Sequence, residues 1–400
     1  MICMSHPALF SARSHRRFGA WLASVPWLVV TVLATPAGTA PDIRITPGDV
    51  PNKGILYVNR EADGRSGHGN QALTECTNGD ILSFYPNTDS EVMAGHSTTG
   101  WTEYRRSNDG GRTWSAPTVL DYSKAMLLSK ELNSAVVEEA VTASNGTVIA
   151  FIGRYITAEW WRTTPVYLTS RDNGKTWSAP RPVDPAAGIA HLGRAHGVCV
   201  HQGTIYVLFD SGTHNSKKDG TGHKLYVSTD NGESFQLRSA LPFGELAWYG
   251  TMNVIQGKRL IAYVYNNADE RNIEYATSDD LGRTWSAVKT TLVAKALRNP
   301  QLSSEINGTY FLHGRSGHQG PDACNLVLYR STDGIHWDEG VFLNKGPNND
   351  SDSYSTNEVL GKYSPGGPQR LLIQASVAYD GKRRVNLHHW FVESTARARP

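Results

Sequence analysis

Residues 106–115 read RSNDGGRTWS, residues 169–178 read TSRDNGKTWS, and residues 277–286 read TSDDLGRTWS. Two looser copies, VSTDNGESF at 227–235 and RSTDGIHW at 330–337, carry the same Ser-x-Asp spacing. The aspartates fall at 109, 172, 230, 280 and 333, so the period is 50–63 residues. Each copy follows a short apolar strand, and its Asp-x-Gly core, shortened by one residue to Asp-Gly in the fifth, is hairpin-turn chemistry. The carboxylate accepts hydrogen bonds from amides of its own turn, Gly supplies a positive φ, and the Trp opens the next strand with its ring against the turn. The repeated aspartate is thus a turn device first.

A second element alternates with the first: an apolar strand, a tight turn and another apolar strand. ALTECTNGDILSF, VTASNGTVIAFI, GVCVHQGTIYVLF, NVIQGKRLIAYVY and SSEINGTYFLHG are five instances, and TNEVLGKYSPGGPQRLLIQASV is a sixth with a longer turn. Six hairpins, each followed by an outer pair, predict an all-β fold, a six-bladed β-propeller of four-stranded antiparallel blades. The early segment GILYVN at 54–59 is expected to pair into the last blade and close the ring.

Composition agrees with many short strands. The chain has 38 Gly, 19 Pro and 11 Trp in 400 residues, and its net charge of +2 argues against a nucleic-acid partner. Arg13, Arg16 and Arg17 precede the apolar run WLASVPWLVVTVLA at 21–34, and small residues follow. That is the grammar of a secretory signal, and the run is short for a membrane span. The expected organisation is a signal peptide over 1–40 and a single propeller over 41–400, secreted or periplasmic, with no membrane span once the signal is cleaved. Cys76, Cys199 and Cys324 allow at most one disulfide, so the chain relies on its core.

Five such turn motifs at blade spacing behind a secretion signal resemble the Asp-box, or BNR, repeats of the sialidase superfamily, over about residues 45–395. The resemblance implies a hydrolase that holds a substrate carboxylate with three arginines. It further implies a Tyr nucleophile polarised by a Glu, and an Asp acid/base. The catalytic set departs from that pattern. The first arginine's place is close to Gly69, Arg44 lies too far upstream, and WYGTMNVIQGKRLIAYVYN in blade four has neither the Glu nor the second arginine in place. Glu245 stands three residues off. Arg315 fits the third arginine, and the late Tyr-Ser is present as Tyr354-Ser355. In the first blade's long loop Asp89 is available, but His96 is nearer the expected spacing.

Up-and-down connectivity puts the Asp boxes and the Asn-Gly turns at one end of the blades. Ligands are therefore expected at the other end, where the chain enters each inner strand. That end offers His68, Asn70, Asp89, Glu91 and His96 in blade one, and Asn133, Arg154, Tyr155 and Trp160 in blade two. Blade three offers His191, Arg194, His196 and His214; blade four, Glu245, Trp248 and Tyr249. Blades five and six offer Arg298, Asn299, Arg315, His318, Asp322, Asp352 and Tyr354. This wealth of Arg, His and aromatic residues in a nearly neutral chain points to an anionic sugar. The catalytic candidates are His96, Tyr354 and Tyr155. The substrate-binding candidates are His68, Asn70, Arg154, Arg194, His196, Arg298, Arg315 and His318.

Three readings follow for an acidic oligo- or polysaccharide partner: exo-hydrolysis of a terminal acidic sugar, β-elimination on a uronate with His and Tyr as base and acid, and glycan binding without catalysis. Elimination needs a base near neutral pKa, a proton donor and a cation for the carboxylate. Cys199, His201 and His214 are a weak zinc pattern, because a buried strand cysteine serves the core more often. No metal and no cofactor is expected. Composition does not fix the oligomeric state.

Overall fold

A computed structural model describes residues 42–394, apart from 90–98, 157–161, 188–191, 211–221, 319, 347–351, 364–367 and 381–383. Its sheets are six antiparallel blades in chain order. The inner strands are Ala72–Glu75, Ser134–Thr142, Ala195–His201, Ala247–Ile255, Arg298–Leu302 and Ser355–Leu360. Each touches the next, and the sixth returns to the first. Blade six takes its outer strand from the N-terminal side: Ile55–Val58 pairs with Val385–Ser394, as the sequence suggests. Ile43–Thr46 also pairs there, with Ile43 opposite Ser394, although its short IRIT run carries no turn signal that would mark it. A helix, Asp121–Leu128, stands between blades one and two.

The repeated turn is built as its chemistry requires. In the first copy Asp109 Oδ1 accepts from the backbone amides of Arg112 and Thr113 at 3.0 and 2.9 Å, and Oδ2 from the Thr113 hydroxyl at 2.6 Å. Ser107 Oγ takes the Gly111 amide at 2.8 Å, and Gly111 has φ 84°. Trp114 Nε1 donates back to the Gly111 carbonyl. The same network recurs at Asp172, Asp230, Asp280 and Asp333. The donors, Thr113 foremost, hold the Asp109 carboxyl down to about 2.

Between the blades, flat apolar faces meet. Phe84, Val137 and Ile152 fill one interface, and Ile149, Phe151, Val207 and Phe209 the next. Two histidines are sealed in this interior. Burial lowers both His313 and His389 to about 3, and His389 Nε2 lies 2.9 Å from Gln374 Oε1. A histidine whose folded pKa is depressed stabilises the fold fully above its unfolded value and loses that contribution as pH falls toward the folded value. The urea midpoint of the protein is therefore expected to drop steadily from about pH 6.5 to about pH 3. A His389→Gln variant, with nothing to protonate at that position, should drop less over the same range. Equal slopes would show that His389 charges without opening the blade.

Candidate functional site

Four inner strands break register near the end where the chain enters. The breaks fall between Val137 and Glu139, Ala195 and Gly197, Trp248 and Gly250, and Arg298 and Gln301. A bulge leaves one residue unpaired and re-aims its side chain, and bulges gather at barrel rims and active sites. Here the extra residues include Glu138, His196, Tyr249 and Asn299, and all four line one cavity on the axis, with Asn70, Arg194 and Tyr354. Two glycines make the close approach possible. A Cβ on Gly197 would stand 2.7 Å from the Met252 amide nitrogen, and one on Gly250 2.7 Å from the Tyr263 carbonyl oxygen. Asn299 adopts φ 49°, a left-handed geometry that Asn tolerates better than most residues.

Glu138 organises one side of the cavity. Its Oε1 accepts from the Tyr155 hydroxyl at 2.8 Å and from Arg194 Nε at 3.0 Å, and its Oε2 accepts from the Ala195 amide at 3.0 Å. Gly153 leaves the room, since any Cβ there would collide with the Glu138 carboxylate. Arg194 also donates from Nη2 to Asn70 Oδ1, so one guanidinium ties blades one, two and three. Burial opposes its charge, but Tyr155 and Glu138 more than offset that and hold the guanidinium above its ordinary value. Its Nη1 is buried with no hydrogen-bond partner, a defect that a folded protein seldom carries without a reason.

Three tyrosine rings around the axis each carry a guanidinium. Arg194 lies over Tyr249 at 5.0 Å, Arg298 over Tyr265 at 5.0 Å, and Arg315 over Tyr354 at 5.1 Å. These are cation–π distances. Arg298 also donates to Tyr265 Oη at 3.1 Å and pairs with Glu270 at 2.9 Å. Tyr249 and Tyr265 stand 6.2 Å apart. They occupy the mouth of blade four, where the sialidase resemblance asks for a Glu and an Arg. His68 packs edge-on to Tyr354 at 4.7 Å. His196 lies 5.0 Å from the Tyr249 ring, with its Nε2 3.0 Å from Asp210 Oδ2 but out of line for a hydrogen bond.

The structure thus brings together Asn70, His68, Tyr155, Arg194, His196 and Tyr354, with Arg298 and Arg315 stacked on the rings. Two of the sequence candidates stand apart. Arg154 bonds the Tyr122 side chain and the Thr164 carbonyl, outside the cavity wall. His318 is exposed on the rim of blade five and gives its backbone amide to Glu270 at 2.9 Å. His96 falls outside the described residues, as do Glu91, Trp160, His191 and His214. Sequence reasoning passed over Glu138, Tyr265, Glu270 and Asp210. The available signal was the His196-Gly197 and Tyr249-Gly250 pairs at matching points of two inner strands, which mark bulges. Cys199 lies instead on the wall of a larger cavity, about 480 Å³, toward the Asp-box end. Burial pushes its thiol up to about 12, and among the described residues no His/Cys/Asp/Glu group is arranged to hold a metal.

Comparison with solved structures finds the same architecture repeatedly. A Dyadobacter fermentans protein of unknown function aligns with TM-score 0.68 at 13% identity, covering 88% of this chain and 99% of that one. A Hadza microbial sialidase aligns with TM-score 0.63 at 15% identity, over 84% of this chain and 68% of the other. The intramolecular trans-sialidase from Ruminococcus gnavus, solved with oseltamivir carboxylate, aligns with TM-score 0.56 at 12% identity, over 88% and 100%. At such identities the likeness speaks for the fold. No curated protein matches in sequence. The family model for the BNR repeat-like domain matches residues 126–362, more than half of the chain. The chain belongs to the BNR repeat-like domain family, among the sialidase-like β-propellers.

Proposed function

We propose that this protein cleaves the glycosidic bond of a terminal acidic sugar bound over the propeller axis. The observation that supports it is the ring of three Arg–Tyr pairs, with the unpaired Nη1 of Arg194 beside the cavity. Arginine forks match a carboxylate, and tyrosine rings suit the faces of a sugar. Arg194, on the cavity wall, holds the carboxylate, and Arg315 backs the Tyr354 ring. Tyr354, which lines the cavity, is the reacting phenol. Tyr155 does not line it and acts through Glu138, as a positioning residue for Arg194. Hydrolysis is the first reading: the Tyr354 oxygen attacks the anomeric carbon, its proton passes to the departing glycosidic oxygen as that C–O bond breaks, and a water then displaces the phenol, releasing the sugar and restoring Tyr354.

Elimination is the second reading, favoured by one cluster: His196 beside Asp210 and Tyr249 supplies a base and a phenol on the same wall. The basic, apolar and small residues of the first forty positions support export to the compartment where such glycans occur. Product mass separates the readings. The protein is incubated with sialylated and uronate-containing glycans and the fragments are weighed. Fragments that together gain one water are expected. Fragments without added water, one ending in an unsaturated uronate, would replace hydrolysis by elimination. Binding without fragments would remove catalysis from the account.

A further inference from the structure

The bulge in blade two does more than aim Glu138. With Glu138 as the extra residue, Glu139 pairs opposite Phe151, and its carboxyl reaches the channel. Glu139 lines both the Arg–Tyr cavity and the larger cavity beneath it, as does Gln301 of blade five, so the two cavities meet between these side chains. Its neighbour Glu138 is fully engaged by Tyr155, Arg194 and the Ala195 amide. Of the two carboxyls that blade two sends to the axis, Glu139 is the one placed to meet a ligand.

We propose that Glu139 is the floor of a recess of about 30 Å³ beneath the sugar and a specificity-determining residue, hydrogen-bonding the one hydroxyl group of the acidic sugar that enters the recess. The inference rests on the proposed function of the same site. The charged groups that face Glu139 are Glu138 from its own strand, Arg194 from blade three and Glu358 from blade six. Glu75 of blade one and Lys362 of blade six share the lower cavity, where Lys362 is committed to Glu358 at 2.5 Å. The other titratable side chains of the two cavities are Cys199, Glu305 and Tyr363 below and His196, Tyr249 and Tyr354 above. Burial, then the charge of Glu138, pushes the Glu139 carboxyl up to about 8, against the pull of Arg194. At neutral pH the floor is an uncharged acid that can donate to the sugar. Above about 8 it becomes an anion beneath an anion.

Calorimetric titration with free N-acetylneuraminate and with glucuronate, from about pH 6 to about pH 9.5, tests this. Wild-type affinity for the sugar that binds should fall about tenfold per pH unit above about 8. The Glu139→Gln variant keeps the shape and a donor but has no proton to lose, so its affinity should stay flat. A fall of equal steepness in the variant would overturn the role of Glu139 and leave the proposed function standing. Failure of both sugars to bind wild-type protein would overturn the site itself, and this inference with it.

Discussion

Replacing Arg194 by Met is expected to abolish turnover and to cost about 3–5 kcal/mol of stability, because it leaves the Glu138 carboxylate buried without its cation. Arg194 and Glu138 are both almost wholly shielded from solvent. Breaking such a pair from one side is far worse than replacing both partners. The double variant Glu138→Gln, Arg194→Met should therefore recover most of the lost urea midpoint. It should not recover activity, because the cation for the substrate carboxylate is gone. The split between the two readouts is the informative result. If the double variant regained turnover along with stability, Arg194 would be a staple between blades and no part of the binding site.

The second large effect is expected at Tyr354. Tyr354→Phe keeps the ring between His68 and Arg315 and removes one oxygen. Turnover should fall by about 10²–10⁴-fold with little change in melting temperature. Tyr155→Phe removes the hydroxyl that tethers Glu138 and is expected to act mainly on KM, through the aim of Arg194. If Tyr155→Phe stopped the reaction and Tyr354→Phe did not, the reacting phenol would be Tyr155, with Glu138 taking its proton.

The architecture was legible because its signals are local. An Asp-x-Gly turn carries its own hydrogen-bond acceptor and its own positive φ, so five copies show the period without tertiary context. The strand Ile43–Thr46 and the helix Asp121–Leu128 were not legible: each is short and held in place by tertiary packing. The mouth was legible as an end of the blades, since strand direction decides which residues enter there. Which of those residues converge was not. Arg154 and Arg194 look alike in sequence. A bulge and Gly153 bring Glu138 to Arg194, while Arg154 turns to Tyr122. Glu138 and Glu139 read as two charges in an apolar strand, and only the register break at Val137 shows that both serve the axis.

The central claim is that an acidic sugar binds at the Arg–Tyr end of the axis. A crystal structure of the protein soaked with the acidic sugar that calorimetry identifies tests it most directly. The carboxylate is expected against Arg194, with the ring between Tyr249 and Tyr354. A sugar seated instead in the cavity at the Asp-box end, or on the outer face of a blade, would contradict it.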